Sequence, residues 1–175
     1  MSAVELNLDR LERGRSVLSF DTELVCEAPE DPEQGAKVAV AGELVVDDMD
    51  QRILVHGSFQ ARQSVKCDRC NRDFELATPA ELELMILRNP SRGEEVEDAQ
   101  DAWTIHQQRG PVSLDEALLE AVNLAEPQKL LCREDCKGLC PECGVDWNET
   151  SCECTHDEID SRWAALEKLK DEDPQ

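Results

Sequence analysis

The chain has 175 residues, 3 % aromatic content with no tyrosine, and a formal charge of −22. That length suits one domain, the core must rest on aliphatic side chains, and no apolar run is long enough for a helical membrane span. So acidic a chain repels phosphate backbones overall, because non-specific nucleic-acid binding rests on lysine and arginine; the charge favours a basic partner, or simply a well-solvated surface.

Residues 1–88 read as β structure. The opening MSAVELNLDRLERGR offers no apolar stretch for a signal peptide, so a cytoplasmic protein is expected. Val38, Val40, Leu44 and Val46 alternate with Lys37, Ala39, Glu43 and Val45, period two apart from an interruption at Gly42. Asp47 to Asp50 reads as a turn, and a return strand runs from about Arg52 to Lys66. One face of that strand carries Ile53, Val55, Phe59, Ala61 and Val65. The other carries Arg52, His56, Ser58, Gln60, Arg62, Ser64 and Lys66, with Leu54 as an apolar exception. Cys67 and Cys70 sit on the next turn, and a further strand system starts at Phe74 and continues through Leu82, Leu84 and Ile86.

Residues 89–112 form an acidic connector, with turn formers at both ends and five acidic residues between Glu94 and Asp101. Trp103 and Ile105 are placed to pin its far end. Residues 113–127 predict a helix: Ser113 and Glu116 have capping-box spacing, and Leu114, Ala117, Leu118, Ala121, Val122 and Ala125 recur at helical period before Pro127. Residues 128–156 are cysteine-rich. A last helix is predicted over 157–170, with Thr155 and Glu158 as a second capping box and Ile159, Trp163, Leu166 and Leu169 on one face. The fold class is α+β: a small antiparallel sheet or partial barrel, a helix, a zinc-knuckle region and a C-terminal helix.

Eight of the nine cysteines fall into close pairs: Cys67 and Cys70, Cys132 and Cys136, Cys140 and Cys143, Cys152 and Cys154, leaving Cys26 over. Two thiolates a few residues apart on a tight turn make half of a tetrahedral zinc site, so the pairs supply ligands for two structural four-cysteine Zn2+ sites. Gly138, Pro141 and Gly144 give the region turn chemistry. Disulfides would need an oxidising compartment, a redox CxxC belongs in a βαβ unit that is not readable here, and iron–sulfur ligation uses other spacings. Spacing alone leaves two arrangements open. In one there are two independent sites; in the other the CDRC pair joins the CPEC pair as a single ribbon and the other cysteines are ordinary thiols.

With these residues in hand, most of the chain resembles the YceD family of large-ribosomal-subunit RNA accumulation proteins. The resemblance rests on VKCDRC (Val65–Cys70), on CKGLCPECGVDWNETSCEC (Cys136–Cys154) and on IDSRWAALEKLK (Ile159–Lys170), where Ser161 stands in the family's proline place. Some members lack the CPEC and CEC pairs. The resemblance therefore implies two separable sites, Cys67, Cys70, Cys132 and Cys136 in one and Cys140, Cys143, Cys152 and Cys154 in the other, within a single YceD-like domain spanning 1–175.

The role it implies is a ribosome-assembly factor supporting accumulation or processing of large-subunit (23S) ribosomal RNA; from the residues themselves, no membrane and no small-molecule substrate are expected. The acidity adds that the partner is more plausibly a basic ribosomal protein than naked RNA. The alternative is direct RNA binding through Arg62, Lys66, Arg69 and Arg72, a locally basic strip continuing the polar face of Arg52 and His56, though a solvated sheet face explains the same residues. An enzyme is disfavoured, since a catalytic zinc keeps an open position, commonly with His or carboxylate ligands, and His56, His106 and His156 share no ligand spacing.

Overall fold

The computed structural model describes residues 4–28, 31–49, 52–87, 103–106 and 109–154. The helix predicted over 157–170, and the capping box that would start it, lie outside the described residues.

Four long strands dominate: β2 (Gly14–Ala28), β3 (Asp31–Asp48), β4 (Arg52–Lys66) and β5 (Asp73–Leu87) pair antiparallel in chain order, and β6 (Trp103–His106) adds parallel to the end of β5. A separate two-stranded sheet joins β1 (Glu5–Asn7) to β7 (Pro111–Ser113), which leads into α1 (Asp115–Ala125). The described residues are thus mostly antiparallel sheet with one helix and a cysteine-rich stretch after it, which bears out the α+β expectation in part. The connector read over 89–112 contains the whole of β6 and the start of β7.

Period-two patterning sets the faces. On β4, Ile53, Val55, Phe59 and Ala61 are buried while Arg52, Ser58, Gln60, Arg62, Ser64 and Lys66 are exposed. Gly42 does not break the pattern on β3. It keeps phase with buried Val40 and Leu44, opposite Phe20 on β2 and Phe59 on β4. A Cβ at Gly42 would lie 2.5 Å from the Phe59 Cβ. Its absence lets the two phenyl rings meet edge to face, with centroids 5.9 Å apart.

The helix lays Ala117, Leu118, Ala121 and Val122 onto the sheet, touching β5 and also β2. Leu114 is fully buried beneath the junction. The helix starts one residue later than the capping-box spacing predicts: Ser113 ends β7, and its hydroxyl accepts from the Asp115 amide at 3.3 Å. Strand pairing with β1 takes Ser113 out of the N-cap position. Asp115 serves the β1 end instead, accepting from the Val4 amide at 2.9 Å, while Leu114 donates to the Val4 carbonyl.

Candidate metal centre

The β4–β5 hairpin ends with Lys66 opposite Asp73, and the six residues between them form a knuckle. The Cys67 amide donates to the Arg72 carbonyl, and the Asn71 amide reaches back to the Cys67 carbonyl at 2.8 Å. Asn71 takes a left-handed φ of 55°, a conformation asparagine tolerates better than most residues. This curl presents both sulfurs on one side.

The segment after α1 docks on that side. Asp68 and Leu130 exchange hydrogen bonds: the Asp68 amide donates to the Leu130 carbonyl and the Leu130 amide to the Asp68 Oδ2. Arg69 donates to the Cys136 carbonyl at 2.6 Å, and its own carbonyl accepts from Leu139. Gly138, at φ +83°, passes so close that a Cβ would stand 3.0 Å from that carbonyl. The sulfurs of Cys67, Cys70, Cys132 and Cys136 lie within 4.8 Å of one another. Cys67, Cys70 and Cys136 are buried, with Phe74 and Leu131 packed around them.

A second group forms locally, again with all four sulfurs within 4.8 Å: Cys140, Cys143, Cys152 and Cys154. Cys140 is buried and Cys143 exposed. The Gly144 amide bonds the Cys140 carbonyl, the Cys140 amide bonds Val145, and the Cys143 amide donates to the Cys140 sulfur at 3.4 Å. The structure therefore places the CDRC pair with Cys132 and Cys136, not with the CPEC pair.

Both groups offer four sulfurs close enough to share one metal ion, and the edges of the Cys67 group fit zinc. Tetrahedral Zn–S bonds of about 2.3 Å imply sulfur–sulfur edges of about 3.8 Å; Cys67 to Cys136 measures 3.8 Å and Cys70 to Cys132 3.7 Å. A disulfide needs about 2.05 Å, and none of the nine cysteines is in one, half-buried Cys26 on β2 included. Crowding and burial set the thiols of the two tetrads apart from one another. Burial pushes the Cys67 thiol up, but backbone hydrogen bonds from Cys132, Cys70 and Arg69 outweigh it and bring the pKa down to about 6. Cys132 is pushed up to about 12, by burial first and then by its sulfur neighbours. In the other group Cys154 also rises to about 12, through its bond to Cys143 and then burial. Four crowded thiols cannot all ionise unless a cation compensates them, so metal binding there releases protons.

One short sequence touches both groups. Asn148 Nδ2 donates to the Cys136 sulfur and Trp147 Nε1 to the Cys152 sulfur, each at 3.4 Å. Asn148 Oδ1 accepts from the Lys137 amide at 2.8 Å and from Arg133. Asp146 holds Asn148 in place, accepting from its amide at 2.8 Å and from its side chain. The sequence marks Trp147 and Asn148 only as part of a motif; a signal for their role was there, since both are side-chain donors within the cysteine cluster.

The basic strip does not stay whole. Arg69 is bound to Cys136, and Arg72 pairs with Asp146 and Glu149, closing the hairpin onto the second group. Arg62 and Lys66 remain exposed on β4, with Ala77 and Asp73 as their β5 partners and Glu75 between those two on the same face. His56 hydrogen-bonds Asp47 at 3.1 Å. The side chain of His106 lies outside the described residues, as does His156.

A β-scaffold carrying two preformed four-cysteine groups defines a cysteine-rich protein able to hold two metal ions. The chain belongs to the YceD family, described as large ribosomal RNA subunit accumulation protein YceD, which it matches over residues 55–170. An uncharacterized protein of Mycobacterium tuberculosis is 28 % identical over 137 residues, covering 78 % of this chain and 64 % of that protein. An uncharacterized protein of Mycobacterium leprae is 30 % identical over 124 residues, covering 71 % of this chain and 56 % of that one. The chain thus spans less than two thirds of the length of these curated relatives. No solved structure matches it. Among the described residues, no helix is long and apolar enough to cross a membrane.

Proposed function

We propose that this protein is a non-enzymatic ribosome-assembly factor, acting in the cytoplasm, that supports accumulation of large-subunit (23S) ribosomal RNA by holding a basic ribosomal protein. Family membership over residues 55–170 is the observation that carries the reading. Two Zn2+ ions, one in each cysteine group, are assigned a structural part. Each group already offers four sulfurs, which fills a tetrahedral zinc and leaves no position for a substrate or an activated water.

The charge of −22 supports a basic protein as the partner. Direct RNA binding draws less support, because Arg69 and Arg72 are committed to internal partners and Lys66 stands opposite Asp73. Cells depleted of the protein should lose large-subunit RNA relative to small-subunit RNA. Protein isolated from cells at low salt should carry a basic ribosomal protein that stays bound after nuclease treatment. Unchanged RNA ratios in depleted cells would refute the role, and release of the bound protein by nuclease would move the contact to RNA.

A further inference from the structure

A groove of about 960 Å³ runs between α1 and the middle of β5, outside the cysteine region. Leu82, Ala121 and Leu124 contribute apolar surface on the side that meets α1, with Glu120 beside them, while Glu81 and Glu83 line the opposite face of β5 next to His56 and Ser58 of β4. Leu124 is 80 % exposed, on the helix that buries Ala117, Leu118, Ala121 and Val122. A lone exposed leucine needs no explanation; one that borders a groove carrying three glutamates does.

The main chain beside the groove is paired on one side only, among the described residues. β6 covers only Leu84–Leu87, so the preceding part of β5 has β4 on one side and no second strand among the described residues. Such an edge turns alternate N–H and C=O groups outward and templates an added strand. Pro79 has no N–H, and within a paired strand it must face away from the ladder, which limits pairing to the short stretch after it. That stretch, Ala80–Glu83, borders the groove.

We propose that this groove receives a short extended segment of a protein partner in which lysine or arginine alternates with aliphatic residues. The segment adds beside Ala80–Glu83, its aliphatic side chains seated on the helix side against Leu124 and Ala121 and its cations on the opposite face against Glu81 and Glu83. The proposal rests on the reading that the partner is a basic protein. Charge decides among occupants: a second copy of so acidic a chain would bring glutamates against glutamates, and the same rim repels an RNA backbone.

The test uses the full zinc-loaded chain and a synthetic peptide of about ten residues alternating lysine and valine, with a glutamate–valine peptide as control. The basic peptide should shift the Leu124 methyl signals and slow exchange of the Glu81 and Glu83 amides about tenfold, with an effect that fades as salt rises. Leu124→Lys, and separately Glu81→Lys with Glu83→Lys, should each weaken binding about tenfold while leaving the circular dichroism spectrum and zinc content unchanged. The proposal is overturned if the peptide leaves Leu124 and these amides unmoved, or if both variants bind like the parent. It is equally overturned if the amides are already protected in the free protein, by its own chain or, concentration-dependently, by a second copy. Capture of a basic ribosomal protein by parent and variants alike would keep the assigned role and remove the groove. Seating of the peptide with no ribosomal protein held would keep the groove and remove the role.

Discussion

Asn148 makes its case through what it touches: a sulfur of one cysteine group, the Lys137 amide, and Asp146, which also anchors Arg72. Donors to metal-bound sulfur orient the ligand and moderate its charge, and losing one typically costs about 10- to 100-fold in metal affinity. Asn148→Ala should therefore weaken zinc binding at the Cys67 group by about that factor, read by competition with a chromogenic chelator; unchanged affinity would reduce the contact to packing. Asp47 is a second informative residue. Hydrogen bonds from Arg15 and then His56 lower its carboxyl pKa from 3.8 to about 2. The folded value lies below the unfolded one, so the contribution to stability is fully present above about pH 4 and is lost as pH falls towards 2. Asp47→Asn should flatten the acid limb of the stability curve in that window, measured by urea unfolding across pH, and leave its slope near neutrality alone.

At the scale of elements, the long strands were legible because alternation of apolar and polar residues reports a half-buried strand directly. β4 runs from Arg52 to Lys66 in the structure and in the reading of its sequence alike. Gly42 was legible as an oddity but not as a cause, since its partners Phe20 and Phe59 come from two other strands. Gly42→Ala should cost about 1–3 kcal/mol in urea unfolding, because the added Cβ meets the Phe59 Cβ and Cα and cannot be absorbed by a flexible side-chain tip. The three-residue strands β1 and β7 escape any local pattern: neither carries a period, and each exists because the other does. The same long-range pairing removed Ser113 from the N-cap. β6 was half visible in Trp103 and Ile105, but its parallel pairing depends on where the chain returns, which composition does not encode.

For the molecule as a whole, the cysteine spacings marked the metal-binding potential but not which pairs assemble. Assembly depends on the β4–β5 hairpin tip docking on the segment after α1, through Asp68, Arg69 and Gly138. That docking makes the two groups unequal. The Cys67 group ties the sheet to the C-terminal segment across about sixty residues, whereas the Cys140 group closes only a local turn, so Cys67→Ser should lower the thermal midpoint more than Cys140→Ser. The measurement that bears most directly on the account is zinc content by native mass spectrometry of the protein purified without chelator, beside Cys67→Ser, Cys140→Ser and the double variant. Two four-cysteine sites predict two zinc ions in the parent, one in each single variant and none in the double. A single zinc in the parent, lost in either single variant, would contradict the assignment.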